Sequence, residues 1–285
     1  MSLFAGLEKF GFSEDDIKEL DKQPEKKRAQ QKAVQEKVEL QEKDYLLDKT
    51  VQCPVCGKSL HTLILKTGRA KRNEPDFDLR PNFEGVDSIK YDCTLCPHCG
   101  YAAMNRFFNH IATAQARLVR ENITTKFHPM PDKQEETYTY EQAIERYKLS
   151  MVSTIVKRGK LSERSYTALK IAWLIREQLK EIPEDNNPNN IQKQAALKEE
   201  YDAFYRQAYE GFQQALSTEM PPYCGMDTST LEFMLANMAF HYKEYDTATK
   251  LVGTLITGSG VSSRIKDKAL DLKEEILKEV KASKQ

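Results

Sequence analysis

The segments Cys53-Pro54-Val55-Cys56-Gly57 and Cys96-Pro97-His98-Cys99-Gly100 share the pattern Cys-Pro-x-Cys-Gly, with 39 residues between Cys56 and Cys96. Two cysteines three residues apart on a tight turn can point at one metal ion, and two such turns supply four thiolates. The glycine that ends each segment permits the positive φ that swings the chain around the ion. The pattern predicts a four-cysteine zinc site with the ligands Cys53, Cys56, Cys96 and Cys99.

Other cysteine chemistries fit this pattern less well. A disulfide framework suits short secreted chains, whereas this chain has 285 residues and begins without the basic start and apolar run of an export signal. A redox dithiol would need a single Cys-x-x-Cys at the start of a helix. Four cysteines can also hold an iron–sulfur cluster, and that alternative stays open, although the paired turns favour zinc. Free cysteines beside zinc turns predict a cytoplasmic protein.

Three neighbouring side chains compete for a ligand role. Cys93 and Cys96 could form the second pair, but only Cys96 with Cys99 repeats the whole phrase of the first turn. His61 and His98 could each replace a sulfur, and we expect both to be bystanders.

Zinc bound by four thiolates has no open coordination position, so such a site stabilises a fold and does not activate water. The sequence also lacks the metalloprotease, serine hydrolase, phosphate-loop and dinucleotide motifs. We therefore expect a structural zinc ion in a protein that is not an enzyme. An enzyme with an unrecognised pocket remains a weaker alternative.

The composition gives no sign of a strongly charged partner. Lys plus Arg and Asp plus Glu each number 43, so the net charge is zero. A balanced charge gives no support to a nucleic-acid or membrane-surface role. No apolar run approaches the roughly 20 residues of a membrane helix.

Three regions follow from the pattern along the chain. We predict that residues 1–48 form an N-terminal helical arm, with a long charged helix from Pro24 to about Leu47. We predict that residues 49–126 form a zinc-ribbon-like module with its following helix. After a linker at 127–137, residues 138–285 are predicted to form a helical-repeat domain.

Within the zinc module, we predict strands at His61–Leu65 and Ser88–Tyr91 and a helix that starts at Tyr101. The loop 66–72 carries four basic residues, Lys66, Arg69, Lys71 and Arg72. These could bind the phosphates of a nucleic acid, or they could balance the negative charge of the zinc site and pair with nearby acids. A basic loop without interleaved aromatic residues is a weak nucleic-acid signal.

In the C-terminal half, apolar residues recur every three or four positions, which predicts a series of amphipathic helices. Their starts are marked by capping residues, namely Thr139 with Gln142, Ser162, Ser229 with Glu232, and Ser262. The segments 140–143 and 245–248 and the pair Leu235-Ala236 resemble tetratricopeptide repeats, most clearly over residues 229–257. A plain antiparallel helical bundle is the alternative. The predicted fold class is mainly α, with tetratricopeptide-like antiparallel repeats after a small β zinc-ribbon-like module.

The two cysteine turns, the loop from Arg69 to Phe77, the dipeptide Tyr101-Ala102 and the helical second half together resemble a bacterial family, domain of unknown function 2225. The resemblance covers about residues 45–257. It implies a cytoplasmic bacterial protein, brings no activity with it, and carries the ligand roles to the four cysteines of the two turns. Cys93 is not part of that pattern.

A closed metal site beside a repeat scaffold predicts an interaction protein that binds a protein or peptide in a helical groove. Five aromatic residues on one long helix exceed what a core stripe needs, so some of them could line that groove: Tyr201, Phe204, Tyr205, Tyr209 and Phe212. The alternative is a nucleic-acid-binding protein that uses the loop 66–72. No membrane association is expected.

Overall fold

The computed structural model describes residues 40–132 and 135–283, and most of these residues are helical. The strands form two small antiparallel sheets near the N-terminal end of the described chain. The prediction of a mainly α fold with a small β region is confirmed. Most of the predicted N-terminal arm, residues 1–39, lies outside the described residues.

Each cysteine turn connects two strands of a hairpin. Strand β1 (Leu46–Gln52) pairs with β2 (Ser59–Leu65), so the first turn lies between them. Strand β3 (Cys93–Leu95) pairs with β4 (Ala102–Met104), and the second turn lies between these. Both short strands of the second hairpin are buried along their whole length.

Two predicted elements of the module were wrong. Ser88–Tyr91 is a 3₁₀ turn, and its first residues are held by the Asp87 carboxylate, which accepts a hydrogen bond from the Ile89 amide. The helix predicted from Tyr101 is preceded by β4, because the backbone of Ala102–Met104 is needed as the partner of β3. A run of three apolar residues is too short to distinguish a helical period from the alternation of a strand. Its structure is therefore decided by whether a partner strand pairs with it.

Helical structure begins after β4 and is broken at first. Helices α1 (Asn105–Phe108) and α2 (Thr113–Val119) are short, and a π-helical turn at Arg120–Thr124 continues α2. The end of the predicted N-terminal helix was also wrong, because Glu42–Tyr45 is a 3₁₀ turn and Leu46 already belongs to β1.

Six longer helices complete the chain, and each packs against the next in sequence. They are α3 (Tyr140–Val156), α4 (Leu161–Lys180), α5 (Pro188–Thr218), α6 (Thr228–His241), α7 (Tyr245–Thr257) and α8 (Ser263–Ala282). Across the described ranges, we find no helix with the length and apolar character that crossing a bilayer requires.

Two of the predicted helix caps are confirmed. Thr139 and Gln142 form a reciprocal capping box at the start of α3, and Ser262 accepts a hydrogen bond from the Ile265 amide at the start of α8. These caps could be predicted because donor and acceptor lie within three residues of each other.

The other two predicted caps were wrong, since a different side chain takes the role. The Glu219 carboxylate, from the far end of α5, accepts the amide hydrogens of Leu161 and Ser162 at 2.6 and 3.3 Å. At α6, the Asp227 carboxylate accepts from the Thr230 amide at 2.7 Å, two residues before the predicted Ser229. A carboxylate at a helix N-terminus also interacts favourably with the helix dipole, which favours both replacements.

The β3–β4 hairpin shares a core with the long helices. Ile89, Cys93 and Met104 belong to the same buried cluster as the inward faces of the long helices. The Tyr147 hydroxyl on α3 donates to the Ile89 carbonyl at 3.0 Å, so α3 is hydrogen-bonded to the backbone of the cysteine module. The described residues from Tyr45 onward accordingly form one compact unit.

The long connection between β2 and β3 is fastened to α4 by its acidic residues. The Asp78 carboxylate accepts hydrogen bonds from Trp173 Nε1 at 2.8 Å and from Arg176 Nη1 at 2.7 Å. The Arg176 guanidinium also lies 2.6 Å from the carboxylate of Asp76. Trp173 is 1% exposed, so its indole N–H has no access to water and depends on Asp78.

We predict that Asp78→Ala lowers the free energy of unfolding by about 3 kcal/mol, because it leaves the buried indole N–H of Trp173 without a partner and removes one of the two aspartates that hold the Arg176 guanidinium. Urea unfolding followed by circular dichroism measures the change. Glu84→Ala is the matched control, since it removes an exposed partner of Lys71 in the same connection and should cost less than about 1 kcal/mol. Equal losses in the two variants would contradict a specific role for Asp78.

Candidate metal centre

The four predicted cysteines lie together, with their sulfur atoms all within 4.8 Å of one another. The Sγ atoms of Cys53 and Cys99 are 3.7 Å apart, as are those of Cys56 and Cys96. Three of the cysteines are buried, and Cys56 is half-buried. Such a group could hold a metal ion.

The two turns that carry the cysteines are built alike. Gly57 and Gly100 have φ values of 75° and 76°, as the sequence predicted. Their amides donate to the carbonyls of Cys53 and Cys96, at 2.9 and 3.0 Å. Each turn is closed at its base, because the amide of its first cysteine donates to the carbonyl of the residue after the glycine. The repeated five-residue phrase therefore encodes a repeated backbone conformation.

Four thiols at these distances cannot all ionise independently. Hydrogen bonds from the thiols of Cys96 and Cys99 lower the pKa of Cys53 to about 4. The pKa of Cys99 is raised, chiefly because its thiol hydrogen is held by Cys53. The thiolate of Cys53 is thus stabilised at the expense of Cys99, and a nearby cation would favour the loss of both protons.

Two polar side chains of the π-helical turn, neither of them predicted from the sequence, donate hydrogen bonds to the cysteine turns. Arg120 Nη1 donates to the Val55 carbonyl at 2.9 Å, inside the first cysteine turn. Thr124 Oγ1 donates to the Cys99 carbonyl at 3.1 Å, inside the second. One segment of chain thus contacts both turns, and its guanidinium adds positive charge beside a group of sulfurs that would be negative when ionised.

The three competing side chains lie outside the group of four. Cys93 is buried on β3 opposite Met104, and burial raises the pKa of its thiol to about 12. His98 Nε2 is 3.0 Å from the Ser59 carbonyl, and His61 Nδ1 is 3.3 Å from the Asp48 carboxylate. The two histidines therefore have polar partners other than the four sulfurs, and Cys93 is buried away from them, as expected for residues that are not ligands.

The contacts of the basic loop 66–72 give little support to nucleic-acid binding. Lys71 lies 4.0 Å from Glu84, and both side chains are largely exposed. This contact agrees with the interpretation in which the basic loop pairs with nearby acids, and nucleic-acid binding stays a prediction. On α5, Tyr205, Tyr209 and Phe212 are buried, so most of the aromatic residues considered for a groove belong to the core.

The two glycines allow a paired test of the site's surroundings. At either position alanine should cost about 1–2 kcal/mol because of the positive φ. A Cβ at Gly57 would meet nothing within 4 Å, whereas one at Gly100 would lie 2.6 Å from ring carbons of Phe127. We therefore predict that Gly100→Ala loses a further 1–3 kcal/mol, roughly, from overpacking. Unfolding of the two metal-loaded variants measures the difference, and equal losses would exclude tight packing of Phe127 on the second turn.

A family model matches residues 46–276, and its description is "Uncharacterized protein conserved in bacteria (DUF2225)". The comparisons with curated proteins and with solved structures find no match. The matched range contains both cysteine turns and all the helices from α1 to α7. Because it covers far more than half of the sequence, the chain belongs to the bacterial family DUF2225.

Proposed function

We propose that this protein is a non-enzymatic interaction protein in which Cys53, Cys56, Cys96 and Cys99 bind one structural zinc ion. The observation that carries the metal assignment is the sulfur–sulfur separation of 3.7 Å. A tetrahedral zinc ion with Zn–S bonds of about 2.3 Å needs its sulfurs about 3.8 Å apart. The separation between the sulfurs of the two turns therefore matches a single ion.

The same separation argues against the other cysteine chemistries. The sulfurs of a disulfide are about 2.0 Å apart, so the 3.7 Å pairs are not bonded to each other. An iron–sulfur cluster would place several iron and sulfide atoms between the cysteines and would push their sulfurs farther apart. A four-sulfur tetrahedron is the usual donor set of structural zinc.

The role of the ion follows from what it would join. Each hairpin has little core of its own, whereas an ion bound by both turns would hold the β1–β2 hairpin against the β3–β4 hairpin. The second hairpin packs directly on α3. The bound ion would therefore contribute to the stability of the whole unit, and its four thiolates would leave no position for a substrate or water.

Metal analysis of the purified full-length protein tests this assignment. We expect one zinc ion per chain, and X-ray absorption should show four sulfur neighbours and no oxygen. Cys56→Ser should lose the metal and melt at a lower temperature, while Cys93→Ser, the matched control, keeps the stoichiometry. Iron in place of zinc, or an exchangeable oxygen ligand, would contradict the proposal.

The interaction part of the proposal concerns a cleft between the second cysteine turn and α3. Its volume is about 570 Å³, and its lining is mixed, with apolar Pro97, Phe127 and Leu149 beside charged Asp132 and Arg146. Mixed apolar and charged walls suit a peptide, whose side chains need pockets and whose backbone needs polar partners. We infer that this cleft, together with a tetratricopeptide-like arrangement of the later helices, forms the binding surface.

An apolar stripe on α3 supports this choice. Val152 and Ile155 are 45% and 48% exposed, although both are large and apolar. They follow Leu149 at helical spacing, so the exposed stripe continues directly from the wall of the cleft. Exposed apolar surface that adjoins a cleft is typical of a protein-interaction site.

Site-specific photo-crosslinking tests the partner surface. A benzophenone amino acid at Val152 should give a defined protein adduct in bacterial cells, and excess unlabelled protein in a lysate should compete for it. The same amino acid at Leu277 is the control, because Leu277 is equally exposed on α8 and far along the chain from α3. The surface is assigned wrongly if both positions give the same adducts, or if Val152 gives none.

A further inference from the structure

A second cavity, of about 280 Å³, lies between the connection that follows β2, helices α4 and α6, and the start of α8. Its apolar lining includes Leu79, Tyr166, Trp173 and Met234. Trp173 and Met234 are 1% and 2% exposed, so they are held in place by the core beneath them. The Trp173 indole is further fixed by its hydrogen bond to Asp78. The apolar part of this cavity is therefore rigid and already formed.

The charged lining of this cavity is of one sign. Arg72 and Arg264 both contribute to it, and none of its lining residues within the described ranges is acidic. The chain as a whole carries equal numbers of acidic and basic residues, 43 of each. The larger cleft shows the usual mixture, with Asp132 and Glu145 beside Arg146. Two cations without a local acid favour an anionic ligand.

The two guanidiniums are also available for a ligand. Neither Arg72 nor Arg264 makes a side-chain ion pair or hydrogen bond with the part of the chain that the structure describes. Asp78, which fixes the Trp173 indole, lies 2.7 Å from the Arg176 guanidinium, and Arg176 also lies 2.6 Å from Asp76. The acidic group nearest to the apolar wall is therefore already bonded to Trp173 and Arg176, whereas Arg72 and Arg264 have no such partner in the described part of the chain.

The start of α8 is not the source of this preference. Ser262 already accepts a hydrogen bond from the Ile265 amide, at 3.4 Å, so the helix N-terminus has its own cap. The preference for an anion comes from the two arginines, and the rigid apolar surface adds a preference for an apolar group. A guanidinium binds carboxylate or phosphate oxygens through two parallel hydrogen bonds, and two guanidiniums can share one such group.

We propose that this cavity binds a small organic anion that has one apolar end. The apolar end rests against Trp173 and Met234, and a carboxylate or phosphate group lies between Arg72 and Arg264. The site is separate from the cysteine centre and from the cleft beside α3, so its failure would leave the proposed function untouched.

Trp173 is the single tryptophan of the chain, so its fluorescence reports on this cavity alone. The full-length, metal-loaded protein is titrated with hexanoate and with hexyl phosphate, two anions that do not absorb where tryptophan does. We expect a saturable change in Trp173 emission with at least one of them. The neutral 1-hexanol and inorganic phosphate should each bind at least tenfold more weakly, since each lacks one half of the recognised chemistry.

Substitutions at the rim complete the test. The double variant Arg72→Ala, Arg264→Ala should weaken binding at least tenfold, and each single variant by less. Both side chains are exposed, so folding should be unaffected; circular dichroism checks this, and the single variants serve if the double variant is unstable. Arg117→Ala, on α2 outside the cavity lining, is the matched control and should bind as the unmodified protein does.

The proposal is overturned if neither hexyl anion changes Trp173 emission. It is also overturned if the change survives removal of both arginines, or if 1-hexanol binds as tightly as the anions. Tighter binding of hexyl phosphate than of hexanoate would assign a phosphate group to the ligand, and the reverse order would assign a carboxylate.

Discussion

The close approach of four cysteine sulfurs, all within 4.8 Å of one another, is the constraint on which the cysteine module depends. Fully ionised, the group would carry four negative charges in a largely buried space, and the Arg120 guanidinium, which donates to the Val55 carbonyl in the first turn, supplies one positive charge. A divalent cation at the centre would offset two of the negative charges and would bond to all four sulfurs. Such an ion would add four bonds between two hairpins that already share a small buried cluster and a contact between His98 Nε2 and the Ser59 carbonyl.

The consequences of that constraint extend beyond the cysteine module, because the module and the helices are not independently packed. Cys93 and Met104 face the helical core, while the side of the same hairpin that carries Cys96 and Cys99 belongs to a second cluster around the cysteines. Strands β3 and β4 therefore separate two cores and contribute to both. Loss of order at the cysteine turns should therefore lower the stability of α3 and, through α3, of the helices that follow.

Much of this architecture could be predicted from the sequence, and the parts that could not share a physical cause. The cysteine turns, the positive φ of Gly57 and Gly100, the Thr139 and Ser262 caps and the mainly α class all depend on residues close together in the chain. The pairing of Ala102–Met104 with β3 and the cap from Glu219 depend on partners that arrive only with the fold. Arg120 and Thr124 contact the cysteine turns only through carbonyl groups, which have no residue-specific signal.

Cys56 differs from the other three cysteines in being only half-buried. A tetrahedron with three shielded corners and one open corner is asymmetric toward solvent. If an ion is bound, we expect an external thiol or chelator to reach the Cys56 sulfur first, because that residue is the least buried of the four. The rate at which a bound ion leaves would then be set by the exposure of one turn, while its affinity would be set by all four sulfurs.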